Sequence, residues 1–318
     1  MNSTTQTDDV SNTGLHLTSR LGHVDMACPD MVVAENKKLE TPFHEACRHG
    51  HINVVKMLLE ANPDVACKRN SENQTPFFLA CSNGRLDVVA YLLAKLGISS
   101  CLEDDDALAL DQSCIHAAAS NGYTDVVREL INASPKLAHV ADSNGNLALH
   151  IACSKGQREM GWTLLQPDVN MAMQYNNNGY TPLHLAAMNG KVAVLEDFVS
   201  TVTSSFYHST KEGETIFHLV VRYGRYDAFI YLVHAWNGTN LLQSRDRYNN
   251  TVLHLAIAGQ RHEIAEYLIR KTGVELNSRN YRGHTPLDVL DQQARETPEN
   301  RRIESLLIKG KLSLFSEN

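Results

Sequence analysis

The chain has 318 residues, 43% of them hydrophobic and 20% charged, which is enough apolar material to bury a sizeable core. A formal net charge of −7 argues against general nucleic-acid binding, which needs a concentrated positive surface. No run approaches the roughly 18 to 20 consecutive apolar residues of a membrane span.

Residues 1–12 are polar and hold no Lys or Arg. They read as a disordered tail and lack the charged start and apolar centre of a secretory leader. The seven cysteines are scattered and odd in number, which fits a reduced, cytoplasmic protein better than a disulfide scaffold. On the same reading, the glycosylation-like triplets at Asn2, Asn73 and Asn237 are chance matches.

From residue 13 onward one phrase recurs. Thr13-Gly14-Leu15-His16 is a first, partial copy. Eight fuller copies begin at Thr41, Thr75, Ser113, Leu147, Thr181, Thr215, Thr251 and Thr285, spaced 34, 38, 34, 34, 34, 36 and 34 residues apart. Thr181-Pro182-Leu183-His184-Leu185-Ala186 shows the phrase most fully.

Each position has a physical reading. Thr is a good N-cap. Pro suits the first helical position, where its missing N–H costs nothing. Nine residues after the phrase begins stand Gly22, Gly50, Gly84, Gly122, Gly156, Gly190 and Gly224, where a first helix must stop and the chain reverse. In the copy at Thr251 the glycine, Gly259, comes one residue early.

A second helix is predicted after each stop. Its apolar pairs are Val54, Val55, Leu58 and Leu59, then Val88, Val89, Leu92 and Leu93, then Val126, Val127, Leu130 and Ile131. Two residues before each phrase the chain must turn tightly, and Asn73, Asp111, Gly145, Gly179, Gly213, Asn249 and Gly283 all suit that. Leu39 is the exception, so the loop ahead of Thr41 is expected to be irregular.

These residues resemble the ankyrin repeat, whose opening is Thr-Pro-Leu-His-x-Ala at a period of about 33 residues. The resemblance implies an all-α fold, a solenoid of stacked helix-turn-helix units with projecting loops. Residues 13–40 are expected to form a degenerate capping repeat, because Pro29 falls where a second helix should run. Residues 41–309 hold about eight repeats, the last second helix spanning Asn300–Lys309, and residues 310–318 read as a frayed tail.

The repeat breaks in two places. Four extra residues carry the acidic run 103–106, which lacks calcium-loop spacing and reads as a solvated loop. Trp236 to Asn240 fill a spacing longer by two.

Seven histidines, His16, His44, His116, His150, His184, His218 and His254, share one slot of the repeat. A residue that recurs at about 34-residue spacing is structural, whereas a catalytic centre needs convergent, non-repeating groups; the copy at Thr75 has Phe78 in that slot. The last copy has Asp288 in that slot. Cys47, Cys81 and Cys153 also share a slot, where they read as small packing residues. No Cys-x-x-Cys, phosphate-binding loop, nucleophile elbow or His-Glu-x-x-His is present. The chain is therefore read as non-catalytic, with no cofactor and no metal.

In an ankyrin stack the loop tips and the outer edge of the first helices line the concave binding face. The later loops combine aromatic and basic residues: Tyr175, Asn178, Tyr180, Arg247, Tyr248, Tyr281, Arg282 and His284. Tyr and Arg are common interface anchors, so a protein partner on that face is expected, and no nucleic acid.

Residues 211–219, 245–256 and 276–290, the last ending Thr285-Pro286-Leu287-Asp288-Val289-Leu290, are similar to the plant ankyrin membrane proteins of the accelerated-cell-death and itn type. That resemblance implies a role in defence or stress signalling. It also implies tethering through a C-terminal multi-span domain that this sequence does not contain. The alternatives are the cytosolic part of a membrane channel or transporter-like protein, or a regulatory adaptor of an enzyme.

Overall fold

Each recurring phrase opens the first helix of a pair. Thr41 holds extended backbone (φ −93°, ψ 165°) ahead of the helix Pro42–His49, with Pro42 at its first position. The helix stops at Gly50, whose φ of 83° is left-handed. The second helix, Ile52–Ala61, returns along it, and a single 3-10 turn, Pro63–Cys67, leads into the loop.

The structure, a computed structural model, describes residues 11–23, 29–102, 113–235, 240–292 and 297–316. The acidic run 103–106, Asp111, Cys28 and residues 236–239 lie outside the described residues, as do residues 1–10.

The chain divides into two units, residues 1–152 with 162–168 and residues 153–161 with 169–318. In the first unit the helices Gly14–Leu21, Pro42–His49, Pro76–Ser82 and Cys114–Asn121 stack in that order. In the second unit Pro182–Met188, Ile216–Arg222, Val252–Ala258 and Pro286–Asp291 do the same. Among the described residues the β content is one isolated bridge, Ala141 with Leu147.

The core follows the predicted apolar pairs. Val54, Val55, Leu58 and Leu59 are buried, and so are Val88, Val89, Leu92, Val126, Val127, Leu130 and Ile131. Each large aliphatic contributes about 1.5–3 kcal/mol on burial. One helix pair has only part of its apolar surface covered by itself, so the stacking of neighbours completes the core.

The stop glycines answer two demands at once. Besides its positive φ, a Cβ on Gly50 would stand 2.8 Å from Cδ of Arg85, the residue that follows the next stop. Arg85 crosses there to donate from Nε to the Arg48 carbonyl at 2.9 Å, capping the C-terminus of the preceding first helix. Arg225 does the same to the Met188 carbonyl at 2.8 Å, and His51 to the Arg20 carbonyl at 2.8 Å.

Three expectations need correction. The loop before Thr41 is regular: Leu39 adopts φ 58°, the conformation that Asn73 and Asn249 take at 61°. Around it Asn36 donates from its N–H to the Glu40 carbonyl (3.0 Å) and accepts the Leu39 N–H (2.9 Å). The turn geometry is set by that frame, so leucine is forced into it.

In the copy at Thr251 the left-handed position falls on Gln260 (φ 54°), while Gly259 stays at φ −85°. The pair of helices keeps its spacing and the wrong residue carries the strain. Finally, the helix expected over Asn300–Lys309 runs Pro298–Ser316, so residues 310–316 continue it. No proline interrupts that stretch, and a helical glycine such as Gly310 costs only about 1 kcal/mol. The capping segment holds a short helix, Pro29–Val32.

Candidate functional site

The loop ahead of each phrase is a five-residue frame tied by its first side chain. At 246–250, Asp246 Oδ1 accepts the N–H groups of Tyr248 (2.9 Å) and Asn250 (2.8 Å). The Asp246 N–H donates to the Asn250 carbonyl (3.0 Å), and the Asn249 N–H donates to the Asp246 carbonyl (2.9 Å). Asn280 ties 280–284 in the same way, accepting from Arg282 (3.0 Å) and His284 (3.1 Å). Asn36, Asn70, Asp142, Asn176 and Thr210 occupy the equivalent position in the other frames.

Successive loops are also joined through their backbones. The Arg247 N–H donates to the Glu212 carbonyl and the Tyr281 N–H to the Tyr248 carbonyl, both at 2.8 Å. In the first unit Ser71 bonds the Lys38 carbonyl at the same distance, 2.8 Å. These bonds fix the backbone while the side chains of the two tip residues project.

The histidine slot locks the loop to the helix behind it. Nδ1 accepts the N–H of the phrase's first residue, as in Thr41 to His44 (3.0 Å), Leu147 to His150 (3.1 Å) and Thr251 to His254 (3.2 Å). In four of these histidines the far nitrogen, Nε2, carries the proton and donates across to the carbonyl closing the next loop. His16 reaches the Glu40 carbonyl (2.7 Å), His116 that of Asn146 (2.8 Å), His218 that of Asn250 (3.2 Å) and His254 that of His284 (3.1 Å). His184 differs, donating to the His208 carbonyl at 3.1 Å. Burial pushes the imidazoles of His44, His116, His218 and His254 below their usual range, His44 to about 4. Asp288 keeps part of this role, its Oδ2 accepting the Thr285 N–H at 2.7 Å.

The structure divides the eight residues expected at a partner site. Tyr248, Tyr281, Arg282 and His284 come together around one groove of about 620 Å³ between the last two first helices and their loops. Arg247 stands beside it with its guanidinium engaged: Nη2 donates to the Tyr248 hydroxyl (2.6 Å), and Nε pairs with Glu212 (2.6 Å). Tyr175, Asn178 and Tyr180 do not line this groove. Tyr175 spans to the next repeat, donating to the Ser209 carbonyl at 3.1 Å with its ring 5.7 Å from that of His208. Tyr180 is half-buried with its N–H held by Asn176 (2.9 Å), and Asn178 is an exposed loop tip. Burial raises the phenol pKa of both Tyr175 and Tyr180.

Sequence reasoning missed the groove floor: Leu255, Ala258, Val289 and Gln292. They stand four and seven residues after Thr251 and Thr285, on the face of the first helix that the phrase leaves unspecified. The "x" of Thr-Pro-Leu-His-x-Ala was the available signal.

Among the described residues no group of His, Cys, Asp and Glu is arranged to hold a metal, and no helix is long and apolar enough to cross a membrane. Burial raises the Cys153 thiol far above its usual range, so it stays protonated.

Helix pairs with projecting, laddered loops define a repeat-built interaction scaffold. A family model for ankyrin repeats, in three copies, matches residues 2–104, 99–175, 115–201, 167–243 and 192–280, and the chain belongs to the ankyrin-repeat family. It is 34% identical to neurogenic locus notch homolog protein 1 of Homo sapiens over 95 residues, 30% of this chain and 4% of that protein. It is 33% identical to NF-kappa-B inhibitor alpha of Gallus gallus over 85 residues, 26% of each chain. These matches therefore span a small part of the relatives' own length. The ankyrin repeat domain of Bcl-3, a member of the IkappaB family, superposes with a TM-score of 0.61 at 22% identity, covering 74% of this chain and 98% of that one. At that identity the likeness shows the fold.

Proposed function

We propose that this chain is a non-catalytic scaffold that binds a protein partner through the loop-and-first-helix face of residues 246–292. The observation that carries the reading is the groove itself. Exposed aromatic and basic side chains meet there on a backbone already fixed by loop-to-loop hydrogen bonds. Large exposed aromatics cost solvation when left bare and gain most when covered, which is why they anchor interfaces. The test is partner capture with the Tyr248→Ala/Tyr281→Ala double variant. Recovery is expected to fall tenfold or more with the helical circular dichroism unchanged. Undiminished recovery overturns the reading.

For the setting, the similarity of residues 211–219, 245–256 and 276–290 to plant ankyrin membrane proteins supports defence or stress signalling in the cytoplasm. The same similarity favours a second reading, the cytosolic portion of a multi-span membrane protein. Sequencing the transcript past the Asn318 codon separates the two. An immediate stop removes the second reading for this product, and a following run of apolar segments supports it.

A further inference from the structure

We propose that the groove formed by residues 248–292 takes an extended acidic peptide, one that seats an apolar side chain on the floor and a carboxylate against Arg282. This rests on the interaction role proposed above and specifies the chemistry of the partner.

The argument starts from which groups in the groove are already satisfied. His254 donates to the His284 carbonyl (3.1 Å), and Asn280 donates from Nδ2 to Asn250 Oδ1 (3.1 Å). The backbone N–H groups of Arg282 and His284 are held by Asn280. These polar atoms ask nothing of a ligand. Two side chains do. Tyr281 is 85% exposed, a large aromatic left almost bare. Arg282 is exposed, and among the described residues its guanidinium has no ion-pair or hydrogen-bond partner. The floor is mostly apolar, made by Leu255, Ala258 and Val289, with Gln292 turned toward the His284 ring at 3.3 Å.

Charge complementarity sets the sign of the partner. The loop tips of this unit present Lys211, Arg247 and Arg282, with Arg245 and Arg279 just ahead of their frames, on a chain whose net charge is −7. The facing acids are few and mostly committed: Glu212 to Arg247, Glu275 to Arg245, and Asp288 to the Thr285 cap. Among the described residues, Asp246 is spent on its own loop frame, and Asp291 is exposed at the end of the helix Pro286–Asp291. A basic ligand would meet the uncompensated Arg282, whereas a carboxylate can bond a guanidinium with two parallel N–H donors.

The test uses the full 318-residue chain and a displayed library of short random peptides. Binding of selected peptides is then measured by fluorescence anisotropy. The expected pool is enriched in Asp and Glu around one Leu, Ile, Phe or Met. Changing the acids of a selected peptide to amides should weaken it about tenfold or more, as for a hydrogen bond to a charged group. Arg282→Glu should abolish binding of the acidic peptide and restore binding when its acids are replaced by Lys. Tyr281→Ala should weaken every selected peptide. A pool sensitive to Tyr281→Ala but without acidic enrichment, or indifferent to Arg282→Glu, overturns the acidic-peptide assignment and leaves the groove standing. A pool insensitive to both variants overturns the groove as well.

Discussion

Two carboxylates occupy the same register in different units, and their pKa values shift in opposite directions. Glu40 and Glu214 each stand one residue before a phrase, and each faces an arginine seven residues into it, Arg48 and Arg222. Both carboxylates are almost fully buried, at 4% and 3% exposure. Burial raises the pKa of each, but for Glu40 the bonds and charge of Arg48, with help from Asn70, outweigh it and the pKa ends below the usual range. For Glu214 burial wins and the pKa ends above it, because Arg222 is held at the surface while Asp246 and Glu212 add negative charge nearby. Arg48 has 25% of its side chain exposed and also bonds Glu45 at 2.8 Å, whereas Arg222 is 47% exposed. A repeat therefore fixes the position of a pair, and the neighbouring repeats fix what that pair is worth.

The largest effect expected from this comparison is on removing the cations. Arg48→Met leaves two buried carboxylates without their guanidinium, with only Asn70 still on Glu40 and His49 on Glu45, and should cost about 3 kcal/mol. Arg222→Met should cost about 1 kcal/mol, since the arginine is half solvated and burial, with Asp246 and Glu212 nearby, already offsets its hold on Glu214. Hydrogen exchange resolved to single helices measures both, and equal losses at the two pairs would break the comparison.

Acid should act next, and through the histidine slot. The folded pKa of His44 is about 4 against 6.5 for the free side chain, so its contribution is full above pH 6.5 and lost as pH falls toward 4. By linkage that loss is roughly 3 kcal/mol. Protonation would also place a hydrogen on Nδ1, against the Thr41 N–H that it now accepts. Glu214 runs the other way: with its pKa raised, its cost is present at neutral pH and relieved as pH falls. Urea midpoints from pH 7 to pH 4 should fall for the parent chain. They should fall more steeply for Glu214→Gln, which removes the opposing carboxylate. A shallower fall in that variant sinks the assignment.

The smallest effects expected are at the two strained turns. Leu39→Gly in one unit and Gln260→Gly in the other should each stabilise by about 1 kcal/mol, because both residues hold a left-handed φ. Thermal unfolding is the measurement, and a lowered midpoint for both would show that the turns carry no strain.

Most of the fold was legible because the repeat states its own rules. Thr caps, glycine stops and the buried histidine each recur at fixed spacing, and each has one physical reading. The loop before Thr41 was misjudged because residue type was taken as the cause of turn geometry, when the Asn36 frame is the cause. The candidate site was half legible. Tyr248, Tyr281, Arg282 and His284 line one groove, whereas Tyr175 and Tyr180, which share their composition, do not line it. The floor residues Leu255 and Val289 were hidden because one sequence cannot separate an apolar residue that faces the core from one that faces a groove.

The loop frame has a consequence for how such a protein changes over time. The bonds that close it are made by the first side chain and by main-chain atoms, so residues at the tips, such as Tyr281 and Arg282, carry little of the duty of holding it. They can be exchanged without loosening the frame beneath them. A chain built this way can drift to a new partner one loop at a time, each step nearly neutral for stability, with the ladder of loops preserving the alignment that any new partner needs.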